Sequence, residues 1–253
     1  MRILILGGIT EARQLAQRLA TRPDLAVMLS LAGRTAAPAL QPVPVRVGGF
    51  GGAGGLADYL IDQKIDVLID ATHPYAALIS GNAVAAAVAV RVPLLALRRP
   101  AWSPIVGDRW IEVDDVRGAV RALGKASRRV FLALGRKEIG PFAGASQHHY
   151  VVRSVDPVVP PLAVPHAVYI IGRGPFDEID ERRILELHRI DVIVAKNSGG
   201  GATYGKIAAA RALSLPVIML RRPVLPDVEA VETVDDAVAW LDHALAFATA
   251  RGV

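Results

Sequence analysis

A chain of 253 residues, 52% apolar and 21% charged, is long enough for one large domain or two small ones with full cores. It has no cysteine, which excludes disulfides and thiolate metal sites, and no uncharged apolar run of about 18 residues, so no membrane-spanning helix is expected. The net charge of +5 points to an anionic partner, yet aromatics are only 5% and the cations come in pairs (Arg98-Arg99, Arg128-Arg129, Arg136-Lys137, Arg182-Arg183, Arg221-Arg222), not in the aromatic-interleaved clusters of a nucleic-acid binder.

The residues Met1–Leu6 already read as a strand and carry no cleavable signal pattern, which makes the cytoplasm the expected location. Ile3–Leu6 is the first predicted strand. Glu11–Thr21 follows as a helix with Ala12, Leu15, Ala16 and Leu19 on one face. Val27–Leu31 and Val43–Val47 read as strands, Leu56–Gln63 as a short helix and Val67–Ile69 as a fourth strand. Ala76–Val90 is an alanine-rich helix and Pro93–Leu97 a fifth strand. Near-continuous apolar strands between helical patterns argue for parallel pairing with helices on both faces. The rhythm breaks at Pro100-Ala101-Trp102-Ser103-Pro104, which sets the expected domains at 1–101 and 102–253. Beyond the break, Val130–Leu134, Tyr150–Val155, Ala167–Ile171, Val192–Ala195 and Val217–Leu220 read as strands. Val116–Leu123, Phe176–His188, Lys206–Leu213 and Asp235–Thr249 read as helices. The expected architecture is α/β, with two lobes of mostly parallel sheet facing each other across a cleft.

Ligands of parallel sheets bind at the carboxyl ends of the strands, so the strand-end loops carry the argument. The fourth strand runs directly into Asp70-Ala71-Thr72-His73-Pro74-Tyr75-Ala76, polar chemistry that a packed core does not need. The structural alternative is a helix start with Thr72 as N-cap. The first strand ends in Gly7-Gly8-Ile9-Thr10-Glu11-Ala12, a variant of the dinucleotide fingerprint with Ile9 at the middle glycine position. A plain strand–helix turn is its alternative. The second strand ends in Leu31-Ala32-Gly33-Arg34-Thr35, with an arginine and no carboxylate where a ribose is read. One or two charge-assisted hydrogen bonds there favour NADP over NAD by roughly tenfold to several hundredfold. The third strand empties into Gly48-Gly49-Phe50-Gly51-Gly52-Ala53-Gly54-Gly55, suited to close ligand approach or to a flexible turn.

The second half repeats the logic with more positive charge. Leu134-Gly135-Arg136-Lys137 and Ile171-Gly172-Arg173-Gly174-Pro175-Phe176 each give a strand end, a glycine and cations. The richest segment is Lys196-Asn197-Ser198-Gly199-Gly200-Gly201-Ala202-Thr203-Tyr204-Gly205-Lys206, whose glycines expose backbone N–H groups beside oxyanion-binding side chains. Its order is not that of a P-loop, which argues against an NTPase. Arg221-Arg222 closes a further strand. His148-His149 project to opposite faces of a strand, and Ser198 has no paired base in sequence, so neither a metal site nor a nucleophile is expected.

Taken in order, Gly7-Gly8-Ile9-Thr10-Glu11-Ala12, Ala32-Gly33-Arg34-Thr35, Asp70-Ala71-Thr72-His73-Pro74-Tyr75-Ala76, Gly135-Arg136-Lys137 and Lys196-Asn197-Ser198-Gly199-Gly200 with Thr203 and Lys206 resemble the precorrin-6A and cobalt-precorrin-6A reductase family of cobalamin biosynthesis over nearly the full length. The resemblance implies two Rossmann-like lobes and NADPH-dependent reduction of a double bond in a carboxylate-rich macrocycle. It implies that Gly7, Gly8, Ile9, Thr10, Glu11, Gly33, Arg34, Thr35, Gly49, Thr72 and His73 hold NADPH. Arg136, Lys137, Lys196, Asn197, Ser198, Gly199, Gly200, Thr203, Lys206 and Arg221 would hold the substrate. His73, Tyr75 and Lys196 are the expected proton donors. The partner is then an anionic tetrapyrrole-derived small molecule, with neither nucleic acid nor membrane, and the chain a monomer or weak oligomer. The alternatives are an NADP-dependent reductase of another polycarboxylate and a non-catalytic dinucleotide-binding sensor. A sensor has no need of the second cluster of cations.

Overall fold

The apolar runs become the inner strands of two six-stranded parallel sheets, each in its own compact unit, in a computed structural model that describes residues 1–33 and 40–250 (side chains to 246). In the first unit, strands β1 (Arg2–Leu6), β2 (Ala26–Leu31), β3 (Val45–Val47), β4 (Val67–Asp70) and β5 (Leu94–Leu97) alternate with helices α1 (Thr10–Leu19), α2 (Ala53–Asp62) and α3 (Ala77–Val90). The second unit, Ala101–Arg222, holds β6 (Trp110–Val113), β7 (Arg129–Ala133), β8 (His149–Ser154), β9 (Ala167–Ile171), β10 (Val192–Lys196) and β11 (Val217–Leu220). Its helices are α4 (Val116–Leu123), α5 (Glu178–Leu187) and α6 (Gly205–Ala212), with a 3-10 segment at Gly140–Ala145. A short strand β12 (Ala230–Val231) and helix α7 (Val234–Ala250) end the chain.

The inner strands β1, β4, β7 and β10 are nearly continuous apolar runs because both of their faces are covered. Along β1, Ile3 and Ile5 pack into a core with Leu15 and Leu19 of α1 and Ala237 and Leu241 of α7. Leu4 and Leu6 point the other way, into a core with Leu56 and Leu60 of α2 and Ala83 and Ala87 of α3. In the second unit, Phe131 of β7, Ile193 and Ala195 of β10, and Ile207 and Ala210 of α6 share one core.

This packing corrects the expected boundary. Residues 223–253 belong with the first unit, not with 102–222: β12 pairs with β5, Ala230 opposite Ala96 and Val231 opposite Leu97, and α7 covers the β1 face beside α1. Without α7 the part of that face that α1 does not cover would lie open to water, a hydrophobic requirement that sequence order does not reveal. The strand β6 also departs from expectation. It is an edge strand whose Ile111 and Glu112 are exposed, so it lacks the apolar run that marks its neighbours.

Both sheets have one plan. In the first the order is β12-β5-β4-β1-β2-β3, and in the second β6-β11-β10-β7-β8-β9. Each chain path runs outward from a central strand (β1 or β7), then returns to that strand's other side (β4 or β10). The path therefore reverses between β1 and β4 and again between β7 and β10, and such reversals leave a crevice at the carboxyl ends where ligands of open parallel sheets bind.

Two buried polar groups mark the second unit. Arg153 of β8 and Glu181 of α5 form an ion pair with side chains 6% and 1% exposed, and the guanidinium lies over the Phe176 ring at 3.8 Å. His148 is fully buried, and burial, helped by the charge of Arg128, holds its pKa below the ordinary 6.5. A histidine neutral in the fold and protonated when unfolded contributes stability above about pH 6.5 that is lost as the pH falls below it. Thermal melts between pH 7.5 and 5 should therefore show a falling midpoint, and His148→Gln should flatten that slope; an unchanged slope would assign the acid sensitivity to other groups.

Candidate functional site

At the first reversal, the ladder continues past the strands and fixes both loops. Gly7 N–H donates to the Ser30 carbonyl at 2.8 Å and Ala71 N–H to the Leu6 carbonyl at 2.9 Å. Gly8 has φ +153°, a conformation unfavourable for side chains, and among the described residues the one heavy atom within 4 Å of a Cβ placed there is the His73 nitrogen at 3.8 Å. The sequence motifs that end β1 and β4 thus meet backbone to backbone. The N-cap of helix α1 is Ile9, whose backbone is extended and which offers no side-chain cap, so no N-cap side chain accepts from the first-turn N–H groups. Such a terminus suits a phosphate. Thr10 opens this first turn. Glu11 follows, but its carboxylate accepts from Arg99 at 3.0 Å in a largely buried pair, leaving the backbone as its contribution to a ligand.

After β4, Asp70 Oδ1 accepts from Thr72 N–H at 3.1 Å and from Thr72 Oγ1 at 2.7 Å. The helix N-cap is Ala76, so the Thr72 cap does not form. His73 Nδ1 accepts from Tyr75 N–H at 3.3 Å, which leaves Nε2 to carry the proton of a neutral ring, and the two rings lie 5.6 Å apart. The structure therefore brings Gly7, Gly8, Ile9, Thr72, His73 and Tyr75 to one crevice. Gly33, at φ +67°, lies beside Val47 at the neighbouring strand ends, where a Cβ on it would fall 3.4 Å from Val47 Cγ1. Arg34 and Thr35 fall outside the described residues. The glycine run after β3 divides by need. Gly55 is required by packing, because a Cβ would fall 1.9 Å from the Phe50 carbonyl oxygen. Gly49 faces open space, and its carbonyl accepts from Arg46 at 2.8 Å.

At the second reversal, the turn after β7 meets the end of β10. Lys196 Nζ pairs with Glu138 Oε1 at 2.6 Å, their side chains 15% and 29% exposed. Glu138 Oε2 accepts from Gly135 N–H at 3.0 Å, and Glu138 N–H donates to the Gly135 carbonyl at 2.8 Å. Arg136 and Lys137 are exposed on the same turn. Beyond Lys196 the chain turns through Ser198, whose N–H donates to the Lys196 carbonyl at 2.8 Å, and through Gly199 and Gly200 at φ +70° and +68°.

Four expected ligand contacts in this unit have other partners. The Asn197 side chain accepts from Trp102 N–H and donates to the Trp102 carbonyl, both at 2.8 Å, in the manner of a strand pair. Lys206 is 4% exposed, donates to the Thr203 carbonyl and sits 5.1 Å from the Trp102 ring centre, so it braces the loop from below. Thr203 is committed through that carbonyl, and its hydroxyl is buried without a hydrogen-bond partner. Arg221 pairs with Glu112 at 3.3 Å and Asp114 at 2.7 Å on the surface, which neutralises its charge. Its neighbour Arg222 donates to the Asn197 and Ser198 carbonyls, at 2.9 and 3.1 Å. Sequence reasoning missed Glu138 and Arg99 as site neighbours. Glu138, three residues after a strand-end glycine, is the signal that was available.

The chain is similar to known proteins over nearly its whole length. The family model for precorrin-6x reductase CbiJ/CobK matches residues 2–242. A precorrin-6A reductase of Sinorhizobium sp is 58% identical over 245 residues, covering 97% of this chain and 94% of that protein. One from Rhodobacter capsulatus is 47% identical over 253 residues, covering 100% and 99%. A solved structure of CobK precorrin-6A reductase matches with TM-score 0.93 at 46% identity, over 96% of both chains. With nearly every residue aligned and both parallel sheets shared, the chain belongs to the precorrin-6x reductase CbiJ/CobK family.

Proposed function

We propose that this protein reduces a double bond of precorrin-6A with NADPH, giving the dihydro product precorrin-6B in cobalamin biosynthesis. The observation that carries the reading is the pair of chain reversals, each flanked by loops of a different chemistry. The first has a helix N-terminus with no side-chain cap, led by two glycines, which fits a pyrophosphate. The second has exposed Arg136 and Lys137 beside Lys196, which fits a polycarboxylate. The first unit is then the NADPH-binding domain and the second the substrate domain. NADPH supplies the hydride when bound.

The chain's own residues do the rest. Backbone N–H groups at Ile9, Thr10 and Glu11 receive the pyrophosphate, and Gly49 leaves room for the adenosine end. Thr72 and His73 hold the other end of the dinucleotide, with Tyr75 beside them as a second proton-bearing group. Gly199 and Gly200 supply backbone N–H donors, and Ser198 its hydroxyl, to substrate carboxylates. Orientation is the main requirement, since the donor and acceptor carbons must approach to about 3–3.5 Å in line. Among the described residues no helix is long and apolar enough to cross a membrane. We place the reaction in the cytoplasm, where NADPH is available, with the chain acting as a monomer or weak oligomer.

The test is NADPH oxidation by the purified protein with precorrin-6A; a folded protein that leaves NADPH intact refutes the reading. A panel of other polycarboxylates in the same assay separates this substrate from a generic one. Arg34→Ala should weaken NADPH binding by roughly tenfold to several hundredfold while changing NADH binding little, because it removes charge-assisted bonds to the 2′-phosphate alone. Equal losses for both cofactors, measured by fluorescence titration, would remove Arg34 from that role.

A further inference from the structure

The pair Lys196–Glu138 stands at the second chain reversal, and Lys196 has two expected roles there that make opposite demands. A lysine that anchors a substrate carboxylate must offer its charge. Here the charge is already answered by Glu138 Oε1 at 2.6 Å, in a pair that is more than two-thirds buried on both sides. Glu138 is itself fixed at its other oxygen by Gly135 N–H at 3.0 Å. A Cβ on Gly135 would lie 2.9 Å from that same oxygen, so the glycine makes room for the carboxylate. The ammonium is thus held in one place by a carboxylate that the strand-end backbone holds in turn. Arg136 and Lys137, exposed on the intervening residues, supply the charge for substrate carboxylates.

We infer that Lys196 is the acid that protonates the macrocycle and that Glu138 is the residue that positions it; this rests on the reductase reading above. The reduction removes one π bond of the macrocycle and forms two C–H bonds. One uses the hydride released as NADPH becomes NADP+. The other uses a proton from Lys196 Nζ, and the resulting amine is re-protonated by solvent. Atoms and charge balance with one solvent proton consumed per turnover.

The inference separates an acid from an anchor through two substitutions. Lys196→Arg keeps the positive charge but replaces the ammonium with a guanidinium that gives up a proton far less readily. It should lower kcat by about 100-fold or more, the scale of a lost general acid. The dissociation constant for precorrin-6A, titrated by absorbance without NADPH, should stay within about threefold, because substrate charge pairing is elsewhere. Glu138→Gln should lower kcat by about tenfold to 100-fold through mispositioning, with the same unchanged substrate affinity and a larger solvent isotope effect on kcat. Glu138→Asp, which keeps the carboxylate, should recover part of the loss. Thermal midpoints of all three variants identify any failure to fold, and the binding titration reads the site independently of turnover. Lys196→Arg that retains kcat, or Glu138→Gln that alters substrate affinity alone, overturns the inference while leaving the reductase reading intact. A wild-type protein that fails to oxidise NADPH with precorrin-6A in the same assay overturns both.

Discussion

Arg153→Met should destabilise the second unit by about 3–5 kcal/mol, the cost of leaving one partner of a buried ion pair alone. Glu181, whose side chain is 1% exposed, would keep its carboxylate with neither water nor a cation to face, and one of its oxygens already lacks a hydrogen-bond partner. Burial pushes the Arg153 guanidinium down to about 10, still above neutrality, so the arginine stays charged and faces the Glu181 carboxylate directly. The loss also reaches the loops. The guanidinium supports the Phe176 ring at 3.8 Å and lies 5.0 Å from Phe131, and Phe176 closes the Gly172–Gly174 turn that carries Arg173. Denaturation followed through the fluorescence of Trp102 and Trp110, both in this unit, in a Trp240→Phe background that silences the tryptophan of α7, measures the effect. The double variant Arg153→Met/Glu181→Leu should recover most of the stability, because it removes the orphaned charge together with its partner. A single variant that loses less than about 1 kcal/mol would mean that water or another group compensates Glu181.

Much of the scaffold was legible because its rules are local. Strands such as Val67–Asp70 are buried on every residue, and a continuous apolar run next to a helical pattern already implies a parallel sheet covered on both faces. The loops at both reversals were legible for the same reason, since glycine and polar residues directly after an apolar strand stand at its carboxyl end. What stayed hidden was long-range pairing. Asn197 meets Trp102 across 95 residues, and Arg221 meets Glu112 across 109, so no window of sequence shows that these side chains have structural partners. A donor-rich segment then looks uniformly available for ligand, when half of it braces its own loop. The return of residues 223–253 to the first unit is of this kind too. Its reason is the uncovered face of a sheet that begins more than two hundred residues earlier, and only the folded chain shows that face.

Gly8→Val should weaken NADPH binding by about 100-fold or more while leaving the fold largely intact. The fold tolerates the change because, among the described residues, a Cβ at Gly8 meets nothing closer than the His73 nitrogen at 3.8 Å. The backbone cost at φ +153° is about 1–3 kcal/mol, which lowers a melting midpoint by a few degrees in a protein of this size. Binding has no such tolerance. The side chain would stand between the loops after β1 and β4, one residue before the Ile9 N-cap of α1, where the proposed pyrophosphate site lies. Bonds from those groups to a charged ligand contribute about 1.5–3 kcal/mol each, so losing two of them reaches or exceeds a hundredfold. The contrast with Arg34→Ala is diagnostic. Gly8→Val should cost NADH as much as NADPH, since both carry the pyrophosphate, whereas Arg34→Ala discriminates between them. A Gly8→Val protein that binds NADPH normally would remove the dinucleotide from the first chain reversal and send the search for its site to another part of the molecule.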